Sequence, residues 1–122
     1  MARSLVKARA VSGRFRESFG LAHAAGVKMA FGSDAGVFPH GENARQFALY
    51  VELGMSPREA LQSATVTAAE LIGVSEDLGT IEAGKRADLI AIASNPLQYI
   101  RQLEAVLFVM KAGEVVKNQT GQ

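Results

Sequence analysis

The segment Met29-Ala30-Phe31-Gly32-Ser33-Asp34-Ala35-Gly36 constrains the chain more than any other. Val27 to Phe31 reads as a short strand, apolar on both faces, which suits a parallel sheet covered by helices. It ends abruptly in a carboxylate among small residues. The carboxyl ends of strands in α/β barrels are where catalytic groups sit, so Asp34 is a candidate metal ligand or general base. Aspartate is also common at turns and helix caps, and the residues alone leave that reading open.

The flanking sequence supports an α/β arrangement. From Leu5 to Ala25 the apolar residues Ala8, Val11, Phe15, Phe19 and Ala22 recur at helical spacing, and Gly26 is placed to stop the helix. After a loop over residues 35–43, Asn43 is a candidate cap for a second helix with Ala44, Phe47, Ala48 and Val51 on its inner face, ended by Gly54. Ser56-Pro57-Arg58-Glu59 is a strong helix start, with Ser56 as the cap, Pro57 in the first helical position and Glu59 completing a capping box. Leu61, Ala64, Ala68 and Leu71 are the expected inner face. Thr65 and Thr67 are expected to break the run, leaving a second short helix over Thr67–Ile72. Beyond Gly73 strand patterns take over, at Asp88–Ala93, Ala105–Lys111 and Glu114–Lys117. The last two are joined by Ala112-Gly113 as a two-residue hairpin. Asn95-Pro96 marks a turn, followed by a short helix over Leu97–Gln102. The chain therefore divides into a barrel-like part, residues 1–73, and a small β part, residues 74–122.

Composition excludes some functions. With 122 residues the chain is one domain, and 48% hydrophobic with 20% charged residues is a globular composition. The net charge of +1 gives no bulk field for nucleic acid or membranes, and neither is an expected partner. Arg3, Lys7, Arg9, Arg14 and Arg16 against Glu17 concentrate positive charge in residues 1–20. Their helical spacing favours a solvated helix face over an RNA-binding arm or a transit peptide. No cysteine is present, which excludes disulfides, thiolate metal sites and a cysteine nucleophile. It is also compatible with the cytoplasm, the expected location. No apolar run approaches the roughly 20 residues needed to span a bilayer.

Three separated motifs carry a family resemblance. They are Phe31-Gly-Ser-Asp34-Ala-Gly36; Ser56-Pro57-Arg-Glu59-Ala60-Leu61-Gln-Ser-Ala64-Thr65 with Ala68-Ala69-Glu70-Leu71 and Gly73; and Leu78-Gly79-Thr80-Ile81-Glu82-Ala83-Gly84-Lys85 with Ala87-Asp88-Leu89, Asn95-Pro96 and Val109-Met110-Lys111-Ala112-Gly113. In this order and spacing they resemble the C-terminal third of the amidohydrolase superfamily, in its imidazolonepropionase-like and Xaa-Pro dipeptidase (prolidase-type) branch. The resemblance implies an α/β fold: the C-terminal portion of a (β/α)8 barrel plus part of the small flanking β-sandwich. It also implies hydrolysis of a non-peptide amide or dipeptide C–N bond by water activated on one or two divalent metals, usually zinc. Asp34 would then be both metal ligand and catalytic base, taking the proton of the attacking water and passing it to the leaving amine. His40, in the loop after the strand, would contact a small-molecule substrate, although a solvent-exposed loop histidine is an equal alternative.

The family's other metal-site residues have no counterpart. The His-x-His pair, the bridging lysine and the mid-barrel histidines are missing, and His23 and His40 are the only histidines. A complete barrel takes about 250 residues, and a catalytic zinc needs three protein ligands. The expectation is thus a fragment, inactive alone. The competing expectation is a non-catalytic barrel remnant that self-associates or binds a partner through exposed strand edges and apolar faces, and a homo-oligomer is expected. An independent Asp34, His40 and Glu42 metal site matches no known spacing. His23 is expected to be structural at a helix C-terminus, and Gly79 and Gly84 are expected in a strand–turn segment rather than a phosphate loop.

Overall fold

A computed structural model describes residues 2–34, 36, 39 and 40–121, with side chains from residue 12 onward. The face positions Ala8 and Val11, the charges of Arg3, Lys7 and Arg9, and Ala35 of the first motif lie outside what is described.

Helix α1 spans Ala2–Ala24 and ends where Gly26 takes φ 71°. There the Gly26 amide bonds the His23 carbonyl and the Val27 amide bonds the Ala22 carbonyl, a Schellman closure that satisfies two terminal carbonyls. The same pair of bonds closes helix α2 (Arg45–Glu52) through Gly54 and Met55, and helix α4 (Val66–Leu71) through Gly73 and Val74. Helix α3 (Pro57–Ala64) starts with the expected capping box. The Glu59 amide donates to Ser56 Oγ at 3.2 Å, and the Ser56 amide donates to Glu59 Oε2 at 2.7 Å. Thr65, with φ −121° and ψ −91°, separates α3 from α4.

Three expectations need correcting here. Residues Val27–Phe31 form no strand, because among the described residues no neighbouring strand offers a ladder; the Phe31 amide bonds instead to the Ser63 carbonyl of α3 at 2.8 Å. Asn43 is not the cap of α2. Ala44 holds that place, and a series of tight turns leads into the helix from Pro39. The buried face of α3 and α4 is Ala60, Ser63 and Ala69, while Leu71 is 74% exposed. The kink at Thr65 rotates α4, so the apolar periodicity of one continuous helix misplaces its inner face. Of the expected inner residues, Leu61 still packs against the core.

The β part is an antiparallel meander of β1 (Leu89–Ala91), β2 (Phe108–Lys111) and β3 (Glu114–Asn118). Leu89 faces Met110 and Lys111 faces Glu114, with a bulge near Val116 that breaks the β2–β3 register. Ala112 and Gly113 both have positive φ, 50° and 84°, as a type I′ two-residue hairpin requires. β1 and β2 are shorter than their sequence patterns, and β3 runs one residue past its own, to Asn118. The expected helix at Leu97–Gln102 is a 3-10 helix at Ile100–Glu104, reached through a turn in which Asn95 Oδ1 accepts from the Leu97 amide.

Two apolar clusters hold these parts together. One joins Phe19 of α1, Tyr50 of α2, Met55 and Ala60, with Met29 and Phe31 packed against it. The other joins Ala48 of α2 to Ile100 and Leu103 of the 3-10 helix, with Leu61 and Ile92 alongside. Helix α2 contributes to both clusters, so the segment before Asp34 is positioned mainly through α2. Gly79 is pressed against α4, where an added Cβ would lie 2.9 Å from Ala69 Cβ.

Candidate active site

Asp34 stands at the end of a segment held from two sides. Phe31 stacks on Phe47 of α2 with ring centroids 4.5 Å apart and tilts against Tyr50 at 5.5 Å; such aromatic pairs contribute about 0.5–1.5 kcal/mol each beyond area burial. Beyond Phe31 the anchoring is polar. Gln46 Nε2 donates to the Gly32 carbonyl and to Tyr50 Oη, the latter at 2.9 Å. Asn43 Nδ2 donates to Ser33 Oγ at 2.9 Å, and Asn43 Oδ1 accepts from the Gly41 amide at 3.3 Å. The residues on either side of the loop are thereby tied together.

Asp34 itself is exposed and adopts φ 48°. That left-handed conformation is uncommon for a residue with a Cβ, although aspartate tolerates it better than most. A backbone of this kind persists where its surroundings over-determine it, and here Gln46 and Asn43 fix the two residues before it. His40 is exposed at the loop's far end, and Glu42 pairs with Arg45 at 3.0 Å. Among the described residues no three metal-ligating side chains stand together, so Asp34, His40 and Glu42 do not form a centre of their own.

His23 takes a structural place. Its Nε2 lies 3.4 Å from Glu59 Oε1, linking the end of α1 to the start of α3. Bonds from the Ser56 backbone and hydroxyl, and then from His23, hold the Glu59 carboxyl below the usual range. Gly79 and Gly84 lie in bends and turns, with no strand between them. Ser33, inside the first motif, is joined in the site's framework by Gln46 and Tyr50, which no sequence motif singled out. The available signal was the spacing of Gln46 and Tyr50, four residues apart on one helix face.

The amidohydrolase family model matches residues 1–117. The chain belongs to the amidohydrolase family. Within it, the similarity is to imidazolonepropionase and prolidase-type members. The chain is 45% identical over 65 residues to the imidazolonepropionase of Shouchella clausii, covering 51% of this chain and 14% of that protein. It is 34% identical over 119 residues to the ochratoxinase of Aspergillus niger, covering 93% of this chain and 24% of that protein. Its fold superposes on a Xaa-Pro dipeptidase with methionine bound in the active site at a TM-score of 0.88 and 45% identity, covering 92% of this chain and 28% of that one. The chain thus spans a quarter or less of these curated relatives, and the structural match is to amidohydrolase-fold proteins.

Proposed function

We propose that this chain supplies the carboxyl-terminal part of a metal-dependent amidohydrolase that cleaves a C–N bond in a small non-peptide amide or a dipeptide. Residues 1–73 would be the last strand and flanking helices of the (β/α)8 barrel, and residues 74–122 part of its flanking β-sandwich. The observation that carries this reading is the placement of Asp34: an exposed carboxylate in a strained backbone, at the end of a segment pinned to α2 and α3. The similarity to a Xaa-Pro dipeptidase over nearly the whole chain supports it.

Taken alone, the described residues do not fit a metal site, since they bring no three ligands together and a catalytic zinc needs three from protein. Asp34 suits one position of a larger site. An ionised carboxylate can ligate through one oxygen and accept a proton at the other. With the remaining ligands from elsewhere in the enzyme, Asp34 would help hold a divalent metal, zinc in this reading, whose chemistry would be to lower the pKa of a bound water to about 7. Asp34 would take a proton from the attacking water and return it to the leaving amine. His40 would meet the substrate from the loop that follows.

The test is complementation. A Xaa-Pro dipeptidase relative is expressed without the region that matches this chain and mixed with the 122-residue chain and zinc or manganese. Restored hydrolysis of an Xaa-Pro dipeptide, with none from either part alone, is the expected result. A well-assembled complex without turnover, on that substrate and on a panel of small amides, would contradict the reading.

A further inference from the structure

Asp34 is held at the rim of the site by two side chains of the following segment, and neither belongs to a motif that points to catalysis. Gln46 spends one amide nitrogen on two acceptors, the Gly32 carbonyl and Tyr50 Oη. Tyr50 is buried in the first apolar cluster, so one of the two Gln46 bonds is anchored in the core. Asn43 uses both ends of its amide, donating to Ser33 Oγ and accepting from the Gly41 amide. One bond lands on each of the two residues immediately before the left-handed Asp34. The alternative for an exposed aspartate at φ 48° is relaxation to an ordinary conformation, which would swing its carboxylate elsewhere.

We propose that Gln46 and Asn43 are positioning residues that clamp Gly32 and Ser33, and so impose the left-handed conformation that aims the Asp34 carboxylate. The clamp rests on the reading of Asp34 given above only for its consequence in catalysis; the positioning itself is a property of this chain. Gln46 sets the height of the segment against α2 through the carbonyl before Ser33. Asn43 ties the same segment to the returning loop at Gly41, so that both sides of the rim move together.

The experiment has one arm on the chain alone and one on the complemented enzyme. In the isolated chain, backbone amide order parameters are measured for Ser33 and Asp34 in the wild type, Gln46→Met, Asn43→Leu and Ser33→Ala. The wild type is expected near 0.85 and the variants below about 0.6, the range that separates rigid from flexible backbone. Order at Phe31, held by α3 and by stacking, should stay unchanged. Asn43→Asp can accept from the Ser33 hydroxyl and is expected to recover most of the order at Asp34. Ser33→Ala removes the Asn43 contact from the segment's side and decides the matter if a helix variant fails to fold. In the complemented enzyme, Gln46→Met is expected to lower kcat at least tenfold with KM within twofold, since substrate contacts are untouched.

Unchanged order at Asp34 in Gln46→Met and Ser33→Ala would overturn the clamp whatever Asp34 does. Loss of order in those variants, together with full turnover by Asp34→Asn, would uphold the clamp and sink the catalytic reading instead.

Discussion

Asp88 shows how one carboxylate organises a hairpin. It accepts from Lys111 Nζ at 2.6 Å and from the Ala112 amide at 2.7 Å, just where the type I′ turn begins. The Lys111 bond first, and then the Ala112 amide, lower its pKa below the ordinary carboxylate value. A carboxylate depressed in the folded state stabilises it above the unfolded pKa of about 3.9, and that contribution disappears as pH falls through the folded value. Protection of the Ala112 and Gly113 amides, corrected for the intrinsic exchange rate, is therefore expected to weaken below about pH 4, and Asp88→Asn should remove that pH dependence. Gly79 makes a different prediction. A Cβ there would meet Ala69 Cβ at 2.9 Å and the Thr65 carbonyl at 3.2 Å, on a backbone at φ 99°. Gly79→Ala should cost about 2 kcal/mol or more, read from the denaturation midpoint of the chain. Asp34 was legible from sequence as the end of an apolar run. Its left-handed backbone and the Gln46 clamp were not, because they depend on how α2 folds back over the segment.

At the scale of elements, local chemistry predicted the ends better than the faces. The Ser56 capping box forms as its residue types require, and the expected Ala112-Gly113 hairpin forms although Ala112 carries a Cβ at φ 50°. Ser56→Ala should destabilise α3 by about 1 kcal/mol, measurable by thermal unfolding. Ala112→Gly should stabilise the hairpin by about 0.5–1 kcal/mol, since Ala sits at φ 50° in a turn that favours residues without a Cβ. What misled the sequence reading was long-range. The run Val27–Phe31 has strand composition but no ladder partner among the described residues, so it lies as an extended connection tied to Ser63. Leu71 carries the spacing of an inner-face residue only if one apolar period is continued across the break expected at Thr65 and Thr67. Thr65 breaks the run, and the face turns with it.

Over the whole molecule, apolar surface outruns what this chain can bury. Leu71, Ile72, Ile81, Ile90 and Val116 are all exposed by more than half, and the β1 and β3 edges of the meander have no further strand within it. The chain spans 28% of the Xaa-Pro dipeptidase it superposes on. No helix among the described residues is long and apolar enough to cross a membrane. The isolated chain is expected to self-associate in sedimentation velocity. A monodisperse monomer at all concentrations would contradict the expectation.

Turnover by an Asp34 variant decides whether this carboxylate belongs to an amidohydrolase site. Steady-state turnover of the complemented enzyme is compared with the wild-type chain and with Asp34→Asn, which keeps the shape and tolerates the same backbone. Asp34→Asn is expected to lower kcat about 10²–10⁴-fold, the scale of a proton-transfer residue, with assembly unchanged. A kcat within tenfold of wild type would show that the carboxylate at the end of this segment is not part of the chemistry.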